Sequence, residues 1–159
     1  MTEKQIDNEF AEAVYLANGS DKEQYEQLTD VEAKRRFIAQ FWQKRDPDPS
    51  TPFNELRIEY RKRIEQANQQ YARGFVPGWK TERGRVFVVY GQCDDVERFT
   101  STEEANPYEV WHYNNLQGGV VFIFVDWKNI GDYILVHSTY RQEARNENWY
   151  EEYAQKMRR

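Results

Sequence analysis

Cysteine is almost missing from this chain. Cys93 is the only one in 159 residues, so no intramolecular disulfide can form. That suits the cytosol and is equally compatible with an envelope protein. Histidine is nearly as scarce: His112 and His137 are the only two, and neither sits in an HExxH or similar metal-ligand spacing. No GxSxG, P-loop or dinucleotide fingerprint occurs, so the residues point to no cofactor and no metal. No stretch approaches the ~18 consecutive apolar residues that a membrane-spanning helix needs. The segment after Met1, TEKQIDNEF, lacks the basic start and apolar run of a signal peptide. There is no excess of positive charge either: 22 Lys and Arg stand against 27 Asp and Glu, for a net charge of -5. The basic clusters, Lys34-Arg35-Arg36, Arg61-Lys62-Arg63 and Arg83 with Arg85, are each interleaved with acids. A nucleic-acid protein needs a basic stripe to neutralise phosphate, so nucleic acid is not an expected partner.

What the chain has in abundance is aromatic side chains: 9 Phe, 11 Tyr and 5 Trp. With aliphatic residues correspondingly few, the aromatics must build much of the core. The length fits one domain, 1–159, with enough chain to bury a real core.

Periodicity divides the chain in two. Ile6, Phe10, Val14 and Ala17 recur at helical spacing, followed by a short acidic helix over 21–28. Thr29 and Glu32 stand in capping-box relation ahead of a stripe of Phe37, Ile38, Phe41 and Trp42. Pro47, Pro49 and Pro52 end that helix. Thr51-Pro52 then offers a cap and a first-turn proline for a helix running to about Ala72, with Phe53, Leu56, Tyr60, Ile64, Ala67 and Tyr71 on its apolar face. After Gly78 the pattern becomes short, aromatic and β-branched over 85–90, 108–113, 120–126 and 132–137, with "WKNIG" suiting a hairpin between the last two. Residues 92–107 read as a polar loop, and 143–156 as a closing helix carrying Trp149, Tyr150 and Tyr153. Helices first and strands after imply an α+β fold: N-terminal helices packed on a small, mainly antiparallel sheet of about four strands, with a C-terminal helix.

The stretch "PGWKTERGRVFVVYG" (77–91) carries more than a turn signal. Gly78 suits a turn needing an unhindered backbone, and Trp79 a position folded back over the helix–sheet junction. Thr81 and Glu82 can satisfy backbone donors, while Arg83 and Arg85 can grip carboxylates at two points. The expected role is a structural clasp. Upstream, Glu55, Glu59 and Arg63 lie at i, i+4 and i+8 on one helix face. Asp46 is placed to meet that face or the arginines of 83–85. The row reads as a charged lattice pinning helix to loop, or as a polar groove for a ligand.

Nucleophilic readings have little support. Cys93 beside Asp94 and Asp95 is poorly placed to form a thiolate, and two adjacent carboxylates are no calcium loop. Ser101 has no histidine assigned to it by sequence. In "YEVWHY", Tyr108, Val110 and His112 alternate with Glu109, Trp111 and Tyr113. Tyr108, Trp111 and Tyr113 are candidates for an aromatic platform able to stack on a sugar ring or a peptide; the alternative is a sheet face covered by Trp149 and Tyr150 of the closing helix.

Three ordered blocks resemble the GWxTD-domain family of uncharacterised bacterial proteins. "FIAQFWQKRDPDPSTPFNELRIEYRKR" (37–63) is similar to the family's helix, Arg-Asp-Pro turn and Asn-Glu helix. "GWKTERGRVFVVYG" (78–91) is similar to its signature loop and first strand, and "PYEVWHY" (107–113) to a later strand. The resemblance is clearest over 36–126. Glu82 stands where the family's name has Asp, and Gln92-Cys93 where a Pro-rich turn is common. The resemblance implies a periplasmic or cell-envelope setting and carries no established activity. Together with the missing catalytic constellation and the aromatic load, it favours a non-enzymatic binding or assembly module whose partner is another protein, a peptide or a glycan. The alternative is a hydrolase-like enzyme using Asp46, Glu55 and Glu59 with the arginines of the signature loop.

Overall fold

The computed structural model describes residues 1–157. It divides the chain into two compact units, Met1–Gln66 and Ala67 to the C-terminus, with one helix contributing to both. The described residues form an α+β structure of N-terminal helices, a four-stranded antiparallel sheet and a short C-terminal helical turn.

The first unit is helical. Helix α1 (Glu3–Glu12) starts at a capping box in which the Thr2 hydroxyl accepts from Gln5 N–H and the Gln5 side chain accepts from Thr2 N–H. A 3-10 turn, Ala13–Tyr15, follows it. Helix α2 (Gly19–Glu26) repeats the device with Asn18 and Asp21. Helix α3 (Val31–Gln43) is capped by Asp30, whose carboxylate accepts from Ala33 N–H, and so it begins later than the Thr29–Glu32 pair implies. Its apolar stripe meets that of α1. Ile6, Phe10, Ala13, Ile38, Phe41 and Trp42 are all buried, and the Phe10 ring stacks on Tyr25 at 4.2 Å with Phe37 and Phe41 edge-on. Helix α4 runs Glu55–Tyr71. Here Asn54 displaces the expected Thr51–Pro52 start: its side-chain oxygen accepts from Arg57 N–H and its amide donates to the Trp42 carbonyl. Phe53 therefore precedes the helix and is exposed instead of joining the apolar face. Within this unit Tyr60 and Ile64 of α4 are buried.

The second unit begins with the end of α4. A tight turn, closed by reciprocal bonds between Arg73 and Val76, uses Gly74 at φ +57°. A 3-10 turn, Gly78–Lys80, leads to helix α5 (Glu82–Tyr90). This corrects the strand expected at 85–90. A short apolar run bounded by turn residues has the same local pattern in a buried helix and in a buried strand. The Thr81 cap and the packing of Val86, Phe87 and Val88 decide for helix.

The strands are β1 (Asp95–Phe99), β2 (Tyr108–Tyr113), β3 (Val120–Asp126) and β4 (Tyr133–Ser138), antiparallel in the order β1-β2-β3-β4. Strand β1 lies inside the stretch expected to be a polar loop. It is an exposed edge strand without apolar alternation, so the local pattern hides it. The β3–β4 turn is tied by the Asp126 carboxylate, which accepts from the N–H groups of Ile130, Gly131 and Asp132.

The two faces of the sheet are packed differently. Trp111, Tyr113, Phe122 and Phe124 form one, with Tyr90 of α5 lying 5.0 Å from Phe122 and Tyr71 of α4 5.5 Å from Trp111. Fully burying one such side chain contributes about 1.5–3 kcal/mol, so this layer is a major source of the unit's stability. Ile123, Val125 and Val136 on the other face pack against Ala154, Trp149, Tyr150 and Tyr153. The expected C-terminal helix is reduced to one π-helical turn, Tyr150–Ala154. The preceding stretch is a chain of turns bonded instead to β4: Ser138 N–H donates to the Ala144 carbonyl, and Asn146 N–H to the His137 ring.

Candidate functional site

Two glycines bring the signature loop close against its neighbours. A β-carbon on Gly78 would overlap the Ala67 carbonyl of α4, and one on Gly84 would overlap the Gly78 carbonyl. The Thr81 hydroxyl joins the pieces by donating to the Gly78 carbonyl at 2.7 Å and accepting from Gly84 N–H at 3.1 Å, as the N-cap of α5. Trp79 is only 9% exposed, its N–H donates to the Asn68 side chain at 3.0 Å, and Lys80 lies 5.3 Å over its ring. The loop thus fastens the end of α4 to the start of α5 through backbone contact, a cap and one buried indole.

The charged residues of the motif reach outward from that clasp to the sheet. Glu82 accepts from Leu135 N–H of edge strand β4 at 3.0 Å. A carboxylate there covers one of the free donors of the sheet edge. Although the residue is exposed in part, desolvation of the carboxyl raises its pKa, opposed by the Leu135 bond and by Arg85. Arg85 pairs with Glu143 at 2.7 Å. The Arg83 guanidinium lies 4.1 Å over the Tyr133 ring and 5.3 Å over that of Tyr71, and faces Glu109 at 3.4 Å.

Glu109 is buried, and sequence reasoning did not single it out. Its carboxylate accepts from Trp111 Nε1 at 3.1 Å and also faces Arg98 at 3.6 Å. The signal was its place in "YEVWHY", a carboxylate alternating in phase with two large aromatics. Burial pushes the Tyr71 phenol up to about 12 and raises Tyr133 as well. These tyrosines stay neutral at physiological pH and serve as stacking surfaces for Arg83. Cys93 is buried too, and burial raises its thiol pKa, which keeps it from acting as a thiolate.

The carboxylates proposed upstream have local partners in the first unit. Asp46 accepts from Asp48 N–H, Glu55 from the Thr51 hydroxyl, and Glu59 pairs with Arg63 at 3.2 Å. The buried carboxylate of that unit is a different one, Glu9, held by Arg57 at 2.7 Å and Arg61 at 3.0 Å. Its signal was equally local, because it lies three residues from Ile6 within the apolar stripe of α1.

The aromatic platform is corrected. Trp111 is 1% exposed and Tyr113 4%, and the Tyr113 hydroxyl donates to the Gly91 carbonyl. Tyr108 belongs to the opposite face, where it stacks on Phe99 at 4.3 Å and meets Trp149 and Tyr150 edge-on. Strand alternation separates the three residues. Beside Tyr108 there is a groove of about 340 Å³ lined by Arg98, Phe99, Thr100, Thr102, Ala105 and Tyr150. His112 pairs with Glu97 at 2.7 Å. His137 accepts from Asn146 N–H, and its pKa is lowered by burial. Among the described residues no group of three or more His, Cys, Asp or Glu is arranged to hold a metal, and no helix is long and apolar enough to cross a membrane.

No curated protein and no solved structure matches the chain. The family model described as the GWxTD domain matches residues 4–158, well beyond the 36–126 stretch where the motif resemblance is clearest. With that match spanning the helices, the signature clasp and the sheet, the chain belongs to the GWxTD domain family.

Proposed function

We propose that this chain is a non-enzymatic binding or assembly module of a bacterial cell-envelope protein. The observation that carries the reading is a pair of neighbouring turns presenting apolar side chains to solvent. Phe75 is fully exposed at the tip of the 73–76 turn, while Ile130 is 62% and Trp127 50% exposed in the β3–β4 turn. Both turns are held from within. Gly74 and the Arg73–Val76 bonds shape the first, the Asp126 carboxylate shapes the second, and Arg73 bridges to Asp132 at 3.3 Å. Large apolar side chains on rigid turns lose little entropy when covered, which is how binding surfaces gain affinity. The signature residues, in contrast, are engaged in fastening helix to sheet. The envelope setting is taken from the family resemblance.

A photo-crosslinking amino acid placed at position 75 in cells tests the proposal. It should give one discrete adduct that disappears in an Ile130→Ser background, while the melting temperature stays within a few degrees of the parent. An adduct pattern indifferent to Ile130→Ser, or turnover of a hydrolysable substrate by the purified chain, would overturn it.

A further inference from the structure

Strand β1 is the open edge of the sheet. In an antiparallel ladder alternate residues of an edge strand turn their N–H and C=O groups away from the neighbouring strand. Nothing in the described residues outside the sheet bonds to the backbone of 95–99. The opposite edge is treated differently, since Glu82 occupies a donor of β4. One edge is therefore blocked and the other left available.

The side chains of β1 specify what can pair there. By register with β2, Asp95, Glu97 and Phe99 lie on the face that carries Tyr108 and His112. A strand laid antiparallel along β1 would set its alternate residues directly opposite these three, where opposite charges attract and like charges repel. Pairing with a second copy of β1 about its centre would place Glu97 against Glu97, so self-association through this edge is disfavoured. At the Phe99 end the groove of about 340 Å³ beside the stacked Phe99 and Tyr108 rings is open to one apolar side chain.

The geometry points to β1 as an acceptor for an extended, basic segment of another polypeptide, one that adds a fifth strand in the order aromatic–x–Lys/Arg–x–Lys/Arg. The added backbone bonds supply affinity, and the three alternate side chains supply selectivity. This edge is separate from the two exposed turns, so failure here leaves that reading standing.

The test uses the full chain and acetylated nine-residue peptides rich in threonine. One carries Phe, Lys and Lys at alternate positions; a second carries Phe, Glu and Glu; a third has the lysines shifted by one residue. The first should bind at least ten-fold more tightly than the other two and slow amide hydrogen exchange over 95–99. The double variant Asp95→Lys with Glu97→Lys should invert the preference toward the acidic peptide, and Phe99→Ala should weaken binding of both. Thermal melts of the variants confirm folding. Equal binding of all three peptides would overturn the assignment. So would protection of 95–99 by a soluble oligosaccharide in place of the peptide, or its appearance on concentration-dependent dimerisation.

Discussion

Gly78 and Gly84 have no room for a β-carbon, and each would strike backbone, which cannot swing aside. Gly84→Ala should therefore lower stability by the roughly 1–3 kcal/mol that overpacking costs, toward the upper end. Gly19, with nothing within 4 Å of its β-position, is the control. Gly19→Ala should leave stability unchanged or raise it by up to ~1 kcal/mol, through the unfolded chain's lost freedom. Trp79→Ala removes a large buried aromatic, and about 3–5 kcal/mol should go with it. That is a large share of the ~5–15 kcal/mol typical of a domain. Trp79→Phe should be milder, and urea melts of the four variants separate these outcomes. A parent-like Trp79→Ala would make the signature a recognition loop rather than a clasp. The buried thiol of Cys93 should resist iodoacetamide at neutral pH until the chain is denatured, because burial raises its pKa.

Helix α5 depends on bonds at its start and on ion pairs along its length. Thr81→Ala removes both the cap and the bond to Gly78, and a typical cap alone is worth about 0.5–2 kcal/mol. Arg83 shares buried Glu109 with Trp111 and Arg98. Arg83→Ala should cost about 3 kcal/mol, near the lower bound for breaking a buried pair. Arg83→Lys should recover only part of this, since an ammonium cannot stack flat on Tyr133. The pH dependence follows from Glu82. Its pKa is raised in the folded chain, so the folded state holds that proton more tightly than the unfolded one. Its contribution is then most favourable at low pH, and it is lost as pH rises through a window that opens near the ordinary carboxylate value of about 4.3. Glu82→Gln, which can still accept from Leu135, should flatten stability over that window and raise it slightly at pH 7. Urea midpoints taken from pH 4 to pH 7 would show this, and a Gln variant with the parent's slope would assign the pH dependence to other groups.

Across the molecule, charge argues against a polyanionic partner. With a net charge of -5 and arginines engaged by carboxylates such as Glu9, Glu109 and Glu143, the described residues offer no free basic stripe to release counterions from a duplex. Fluorescence anisotropy with a labelled DNA duplex should show no saturable binding at about 0.15 M salt, where such contacts operate. Saturable binding that weakens steeply with salt would contradict that reading. The surfaces proposed for partners are instead local: the turns bearing the exposed Phe75 and Ile130, and the acidic edge strand that ends at Phe99.

The α+β order, the stripes of α1 and α3 and the strands at 108–113 and 120–126 could be read from the sequence because each rests on a local period that survives without its neighbours. Glycine and threonine in the signature loop were legible for the same reason, as turn and cap chemistry is set by adjacent residues. Tertiary structure decided the rest. "RVFVVY" became helix because Thr81 caps it and the sheet's aromatic layer covers it, whereas its apolar run fits either state. Strand β1 exists only through pairing with β2, since its own residues carry no buried face. Arg83 and Arg85 found Glu109 and Glu143, 26 and 58 residues away, partners that no local spacing can name. Which aromatics of β2 were buried was likewise settled by what packs on each face: the α5 side takes Trp111 and Tyr113, while Tyr108 meets the C-terminal turn. Periodicity identifies a face, and only the fold determines what covers it.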